Sequence, residues 1–321
     1  MKSFRKVRSV TLFVICLALC GNPAYSSQNN PRMLLVGDSW AMFLSAFRSF
    51  PQAFAERGKE NPGIVPMYWP GSEARDWNAF FPKFLLGWTL KTRPSIEVAV
   101  ISLGGNDLLG DYHTSLTADE KRRLYKRIRS DLEGLILFML EQKPSLKITI
   151  SGYDYPNFVE SVRNPFFDAY RQEWQEAGCP TPEEANDALI GLARAQQEIA
   201  DTYDRVEFVN NFGLMQWAFG YPAIGLPPQT VPFPTERIET GLPPSGDPRL
   251  PSPPQGMLTL GPFVDAIHLN RLGYRLLAGN LIDRSLGNLL FPESVGEKLS
   301  PSTRTISSQP TRASLLVRLA R

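Results

Sequence analysis

Three short stretches of this chain hold side chains that could carry nucleophilic chemistry together. Asp265-Ala266-Ile267-His268 sets a carboxylate three residues before one of only two histidines in the sequence. At that spacing the carboxylate can orient the imidazole and stabilise its protonated form. Gly37-Asp38-Ser39 supplies a hydroxyl directly after the first apolar run, and Gly104-Gly105-Asn106-Asp107 supplies a side-chain amide directly after another. A serine hydroxyl is a weak nucleophile by itself. His268 can take its proton and later deliver it to a leaving alcohol. The negative charge that develops on the attacked carbonyl needs donors aimed at it. The candidates are the Ser39 N–H, the Gly71 N–H in Pro70-Gly71-Ser72, and the Asn106 side-chain amide. Read together, these residues imply a serine esterase.

Such residues must be brought together by regular elements. Five apolar runs predict buried strands: Arg32 to Val36, Ile64 to Tyr68, Glu97 to Leu103, Lys147 to Gly152 and Val206 to Asn210. Helical spacing is read over Trp40 to Arg57, Asp76 to Leu90 with Asp76 as N-cap, Ala118 to Gln142, Glu183 to Tyr203 and Leu269 to Leu290, with a short helix around Phe166 to Ala177. Strands alternating with helices predict an α/β fold with a mostly parallel sheet and helices on both faces. Ligands in such folds sit at the carboxyl ends of the strands. Ser39, Gly71 and Asn106 each follow a predicted strand there. Two stretches exceed ordinary connections. Residues 153–182 are aromatic and irregular, and residues 213–262 are rich in Pro and Gly. A loop of the second length is usually functional or disordered, and it ends just before Asp265.

Composition narrows the class. The chain has 321 residues, 43% of them hydrophobic, enough to bury a substantial core. Its formal charge is +2 and its basic residues are scattered, so no nucleic-acid partner is expected. Lys2, Arg5, Lys6 and Arg8 precede a short apolar stretch from Val10 to Cys20, and Ala24-Tyr25-Ser26 offers small residues for cleavage. Residues 1–26 therefore read as a signal peptide and the protein as exported, to the periplasm or outside. The mature region has no 18-residue apolar span, so no stable membrane insertion is expected after cleavage. Residues 27–293 read as one domain. Residues 294–321, rich in Ser, Thr, Pro and Arg, read as a disordered tail. Cys16 and Cys20 fall in the leader, which leaves Cys179 alone and no internal disulfide.

The chain resembles the SGNH hydrolases, also called the GDSL esterase/lipase superfamily. Four blocks carry the resemblance: Ser39 in Gly37-Asp38-Ser39-Trp40, Gly71, Asn106 in Gly104-Gly105-Asn106-Asp107, and His268 in Asp265-Ala266-Ile267-His268. Trp40 departs from the leucine usual after the nucleophile. The resemblance implies a three-layer α/β/α sandwich with a five-stranded parallel sheet, flavodoxin-like in plan. It also implies Ser39, Asp265 and His268 as the catalytic residues, Ser39, Gly71 and Asn106 as the oxyanion hole, and no metal or organic cofactor. An α/β-hydrolase elbow would need Gly-x-Ser-x-Gly, whereas the chain reads Gly37-Asp38-Ser39-Trp40-Ala41.

Substrate specificity is less legible. Trp40, Trp69 and Trp77 flank the blocks and are candidates for a platform under a sugar ring or acyl group, with core packing as the ordinary alternative. An acylated glycan, a lipid or a small-molecule ester would suit the site. Acyl transfer to a glycan hydroxyl by the same triad is the alternative reaction, since the pocket chooses the acceptor. A non-catalytic glycan-binding module is the reading outside enzymology. Asp38 and Asp107 read as loop residues rather than metal ligands, and His113 as a loop histidine.

Overall fold

Five short apolar runs form the strands of one parallel sheet: β1 (Met33–Gly37), β2 (Ile64–Tyr68), β3 (Val98–Ser102), β4 (Lys147–Ser151) and β5 (Val206–Val209). They lie in the order β2-β1-β3-β4-β5. This computed structural model describes residues 30–163, 168–239, 241, 244–261 and 263–292. The expected signal peptide and the expected tail lie outside the described residues.

Every residue of β1 and β3 is buried, as central parallel strands require when helices cover both faces. One helical layer contains α1 (Ser39–Ala46) and α2 (Ser49–Glu56). The other contains α3 (Phe80–Thr92), α4 (Gly105–Asp111) and α5 (Ala118–Gln142). After β4 come α6 (Phe158–Ser161), α7 (Asp168–Glu176) and α8 (Pro182–Thr202), and after β5 the short α9 (Leu214–Phe219). Helix α10 (Arg271–Leu281) packs on α1 and α2 and runs through a π turn into α11 (Gly287–Leu290). α5 packs against α3 on one side and α8 on the other. The chain is thus a three-layer α/β/α sandwich. Its two long helices are started by reciprocal caps, Thr117 with Glu120 and Thr181 with Glu184, each satisfying N–H groups the first turn leaves open.

Strand positions match the sequence expectation to within two residues, but several helices and loops differ. The helix expected over Trp40 to Arg57 is two helices, because Arg48 takes a left-handed conformation at φ 54°. Asp76 is not an N-cap. It lies inside a 3₁₀ turn (Ala74–Asn78), where its carboxylate accepts the Glu73 N–H at 2.9 Å, and α3 begins only at Phe80. The closing helix starts later than Leu269, because residues up to that point form a strand. Residues 213–262, expected to lack regular structure, contain α9 and β6 (Met257–Leu260). β6 pairs antiparallel with β7 (Phe263–Leu269) in a separate hairpin. Asp265 and His268 are therefore carried on β7, not on a loop before a helix.

Candidate active site

Ser39, Gly71 and Asn106 follow three adjacent strands, β1, β2 and β3, at their carboxyl ends. The ladder registers Gly37 between Tyr68 and Ser102. Gly37 has no room for a side chain: a Cβ there would lie 2.3 Å from the Ser102 carbonyl. The pairing continues one step past the strands, with Asp38 N–H donating to Ser102 O at 3.1 Å and Trp69 N–H to Gly37 O at 2.8 Å. Ser39 is consequently fixed as the first residue of α1. Asp38 caps that helix, its Oδ1 accepting the Trp40 N–H at 2.8 Å.

The Asp38 carboxylate also accepts the Tyr153 hydroxyl at 2.8 Å, and Tyr153 in turn accepts the Gly105 N–H at 3.1 Å. One buried tyrosine therefore ties the Ser39 block to the Asn106 block. Burial pushes the Asp38 carboxyl up to about 6, against the hydrogen bonds from Trp40 and Tyr153. Asp107 is held similarly. It is buried, and its Oδ2 accepts the Ala74 N–H at 2.8 Å. Burial pushes its carboxyl up to about 7. Both aspartates are thus committed to hydrogen bonds within the fold, Asp38 to a backbone N–H and the Tyr153 hydroxyl and Asp107 to a backbone N–H. Among the described residues no group of three His, Cys, Asp or Glu side chains is placed to hold a metal.

Gly71 occupies the third position of a turn closed by Ser72 N–H to Trp69 O at 3.0 Å. Its φ of 76°, with Pro70 before it, is what a type II turn demands of that position. The closing bond does not use the Gly71 N–H. The Asn106 amide donates to Ser72 O at 3.0 Å, so the turn and the amide are tied together. An amide nitrogen has two hydrogens, and this bond occupies one.

His268 arrives from the hairpin. Its Nε2 lies 2.8 Å from Ser39 Oγ and its Nδ1 lies 3.0 Å from Asp265 Oδ2. A proton on Nδ1 fits both contacts, leaving Nε2 to accept from serine. The ring sits against Phe43 with centroids 4.9 Å apart. Asp265 is fully engaged. Oδ1 accepts the N–H groups of Ile267 and His268, both at 2.8 Å, and Oδ2 also accepts the Tyr170 hydroxyl at 2.6 Å. Burial alone would push the Asp265 carboxyl up. The charge of His268 and the hydrogen bonds from His268 and Tyr170 overcome it, so the group sits below its ordinary range. Burial would push His268 down, but the charge and hydrogen bond of Asp265 prevail, with smaller help from Asp38 and Glu173, and raise it. A hydroxyl, an imidazole and a carboxylate thus stand in one line, the arrangement that acyl transfer through serine needs.

Sequence reading missed Tyr170. It lies on α7, inside the irregular stretch, 95 residues from its partner. It also missed what supports β7. Asn157 N–H donates to Ala266 O at 2.7 Å, and Ser161 Oγ donates to Val264 O at 2.7 Å. Buried Asp154 accepts N–H groups from Tyr155, Gly213 and Met215 at 2.7–2.8 Å, which anchors the start of α9.

The three tryptophans separate. Trp40 is buried with its ring edge-on to Tyr153 and Tyr274. Trp77 is buried and donates to Ser72 Oγ at 2.9 Å. Neither presents a face to a ligand, which corrects the platform expected of them; both brace the loops from within. Trp69, beside the Gly71 turn, is 49% exposed. His113 accepts the Ser115 N–H at 3.0 Å, as a loop histidine does, and Cys179 is exposed.

No protein-family model matches the chain, and neither does any curated protein. Solved structures align with most of it. A family 3 carbohydrate esterase from Clostridium thermocellum is 15% identical, covering 81% of this chain and 98% of its own, at a TM-score of 0.42. A carbohydrate acetylesterase from Sinorhizobium meliloti is 14% identical, covering 80% and 99%, at 0.44. A lipase from a goat rumen metagenome is 13% identical, covering 81% and 100%, at 0.46.

Proposed function

We propose that the chain is an exported serine esterase of the SGNH type, acting on an acylated glycan or a lipid. The observation that carries this reading is the unbroken line Ser39–His268–Asp265, seated beside the Gly71 turn and the Asn106 amide. Ser39 Oγ attacks the ester carbonyl carbon while its proton passes to His268 Nε2. The negative charge on the carbonyl oxygen is met by the N–H groups of Ser39 and Gly71 and the second hydrogen of Asn106 Nδ2. The C–O bond to the alcohol then breaks, and His268 returns the proton to the departing oxygen. A water molecule, deprotonated by His268, repeats the attack on the acyl-serine and releases the acid. Asp265 holds the imidazole in register and balances its charge in both halves. Half-exposed Trp69 gives the acyl group or sugar an apolar surface to lie on.

The test is hydrolysis of p-nitrophenyl esters, from acetate to palmitate, by the intact protein and by Ser39→Ala. Turnover lost in the variant supports the reading, and the chain-length profile identifies the acyl group. Equal turnover by both proteins removes Ser39 from the mechanism. Turnover by neither moves the reading to acyl transfer, checked by supplying a glycan acceptor.

A further inference from the structure

Helix α3 presents an unusual outer face. Phe80, Phe81, Phe84 and Trp88 are 85%, 64%, 53% and 60% exposed, and Leu85 is exposed beside them. Positions 80, 84 and 88 stack along one side of a helix, with 81 and 85 adjoining them. The rings of Phe80 and Phe84 lie stacked, 6.3 Å apart. The inner residues Leu86 and Leu90 already fill the core, so the fold does not need these aromatics. Four aromatic side chains at such exposures offer on the order of 500 Å² of apolar surface, as much as the largest patch on a typical monomer.

The charges on this element have one sign. From Phe80 to Pro94 the sequence holds Lys83, Lys91 and Arg93 and no acidic residue. Lys91 shares the aromatic face, eleven positions from Phe80 and so about 20° around the helix from it. Lys83 borders it, lying over the Phe138 ring at 5.3 Å. Phenylalanine and tryptophan on one face, edged by lysine, are what a helix lying in a lipid headgroup layer displays. A second copy of the chain fits less well, because a stable interface needs about 800 Å² from each partner and like charges would face each other.

The position of this face links it to the site. α3 follows the Gly71 turn by way of the 3₁₀ turn, whose Ala74 N–H is fixed by Asp107 at 2.8 Å. Its amino end, with Phe80 and Phe81, therefore stands at the same end of the sheet as Ser39 and Asn106. We infer that the α3 face docks the protein on an anionic lipid surface, with the mouth of the site turned toward that surface. Neither exported location nor ester turnover is needed for this binding, so it stands apart from the proposed function.

The experiment is quenching of tryptophan fluorescence in the full chain by vesicles of equimolar phosphatidylcholine and phosphatidylglycerol with brominated acyl chains. Residues 1–29 contain no tryptophan, so the apolar leader cannot itself give the signal. The expected result is quenching that falls by at least about half in Trp88→Phe. Lipid affinity should fall at least ~10-fold in the Phe80→Ser/Phe84→Ser double variant, with turnover of p-nitrophenyl acetate unchanged, and weaken with added salt. Absence of quenching, or quenching equal in Trp88→Phe, overturns the inference. So does a concentration-dependent dimer that the double variant abolishes while no lipid binds, which would assign the face to a second copy.

Discussion

The site is made of two halves that are held in different ways. Ser39, Gly71 and Asn106 hang from the ends of three neighbouring strands, and the ladder itself sets their spacing. Asp265 and His268 sit on a hairpin outside that sheet, joined to the rest by single hydrogen bonds: the Asn157 N–H and the Ser161 hydroxyl to β7 carbonyls, the Tyr170 hydroxyl to the Asp265 carboxylate, and Asp154 to backbone N–H groups at the start of α9. In the first half position comes from repetition, and losing one contact leaves its neighbours in place. In the second it comes from single polar contacts, many of them buried, where each loss leaves an unsatisfied group. The nucleophile half is therefore expected to tolerate support mutations, and the base half to be sensitive to them.

Predictions that break or sharpen this contrast run from large to small. Ser39→Ala should lower kcat on a p-nitrophenyl ester by more than about 10⁴-fold while leaving the thermal midpoint near that of the parent; a large drop in that midpoint would mean the nucleophile half is not held by its ladder. Asn106→Ala should lower kcat about 100-fold, and a fall tenfold or less would assign the oxyanion to backbone donors alone. Asp154→Asn tests the other half. It turns a three-way acceptor into a group with one acceptor oxygen, and should cost about 1–3 kcal/mol in urea denaturation. If stability is unchanged, the buried clamp is not what anchors this region.

Smallest is Tyr170→Phe. Removing the hydroxyl leaves Asp265 more basic, so His268 binds its proton more tightly. The base works only when neutral, and its proton affinity is already raised by Asp265. In the parent protein kcat/KM should therefore rise with pH through a midpoint above the ordinary imidazole value of about 6.5. In Tyr170→Phe the midpoint should move higher still, with a loss of about tenfold at most at neutral pH. A midpoint that stays put in the variant would reduce Tyr170 to packing.

The two halves also differ in how far the sequence discloses them. Ser39 and Asn106 each follow an apolar run that can only be a buried strand, so their placement follows from alternation of strands and helices. His268 was legible as a partner because Asp265 lies three residues before it. What supports those two was not. Tyr170 meets Asp265 across 95 residues, and local pattern carries no trace of such a pairing. β6 is four residues long, follows a proline-rich stretch and pairs through an irregular register, so it has no alternation to read. The break between α1 and α2 rests on Arg48 in a conformation usually announced by glycine. Trp40 and Trp77 were indistinguishable from Trp69 by type, and only tertiary packing decides which of them faces outward.

The stretch between β5 and β6 has little ladder of its own, and its many prolines supply no N–H. Its carbonyls are met instead by amide side chains: Asn186 on those of Pro248 and Leu250 and Asn157 on that of Ser252 from elsewhere in the chain, and Gln216 of α9, within the stretch itself, on those of Asp247, Leu250 and Pro251. This makes the segment a poor cassette for transplantation. Moved to another scaffold without Asn157 and Asn186, which belong to different parts of the chain, it would arrive without its fasteners. An engineer wishing to reshape this segment would do better to change side chains between those fixed points than to exchange it whole.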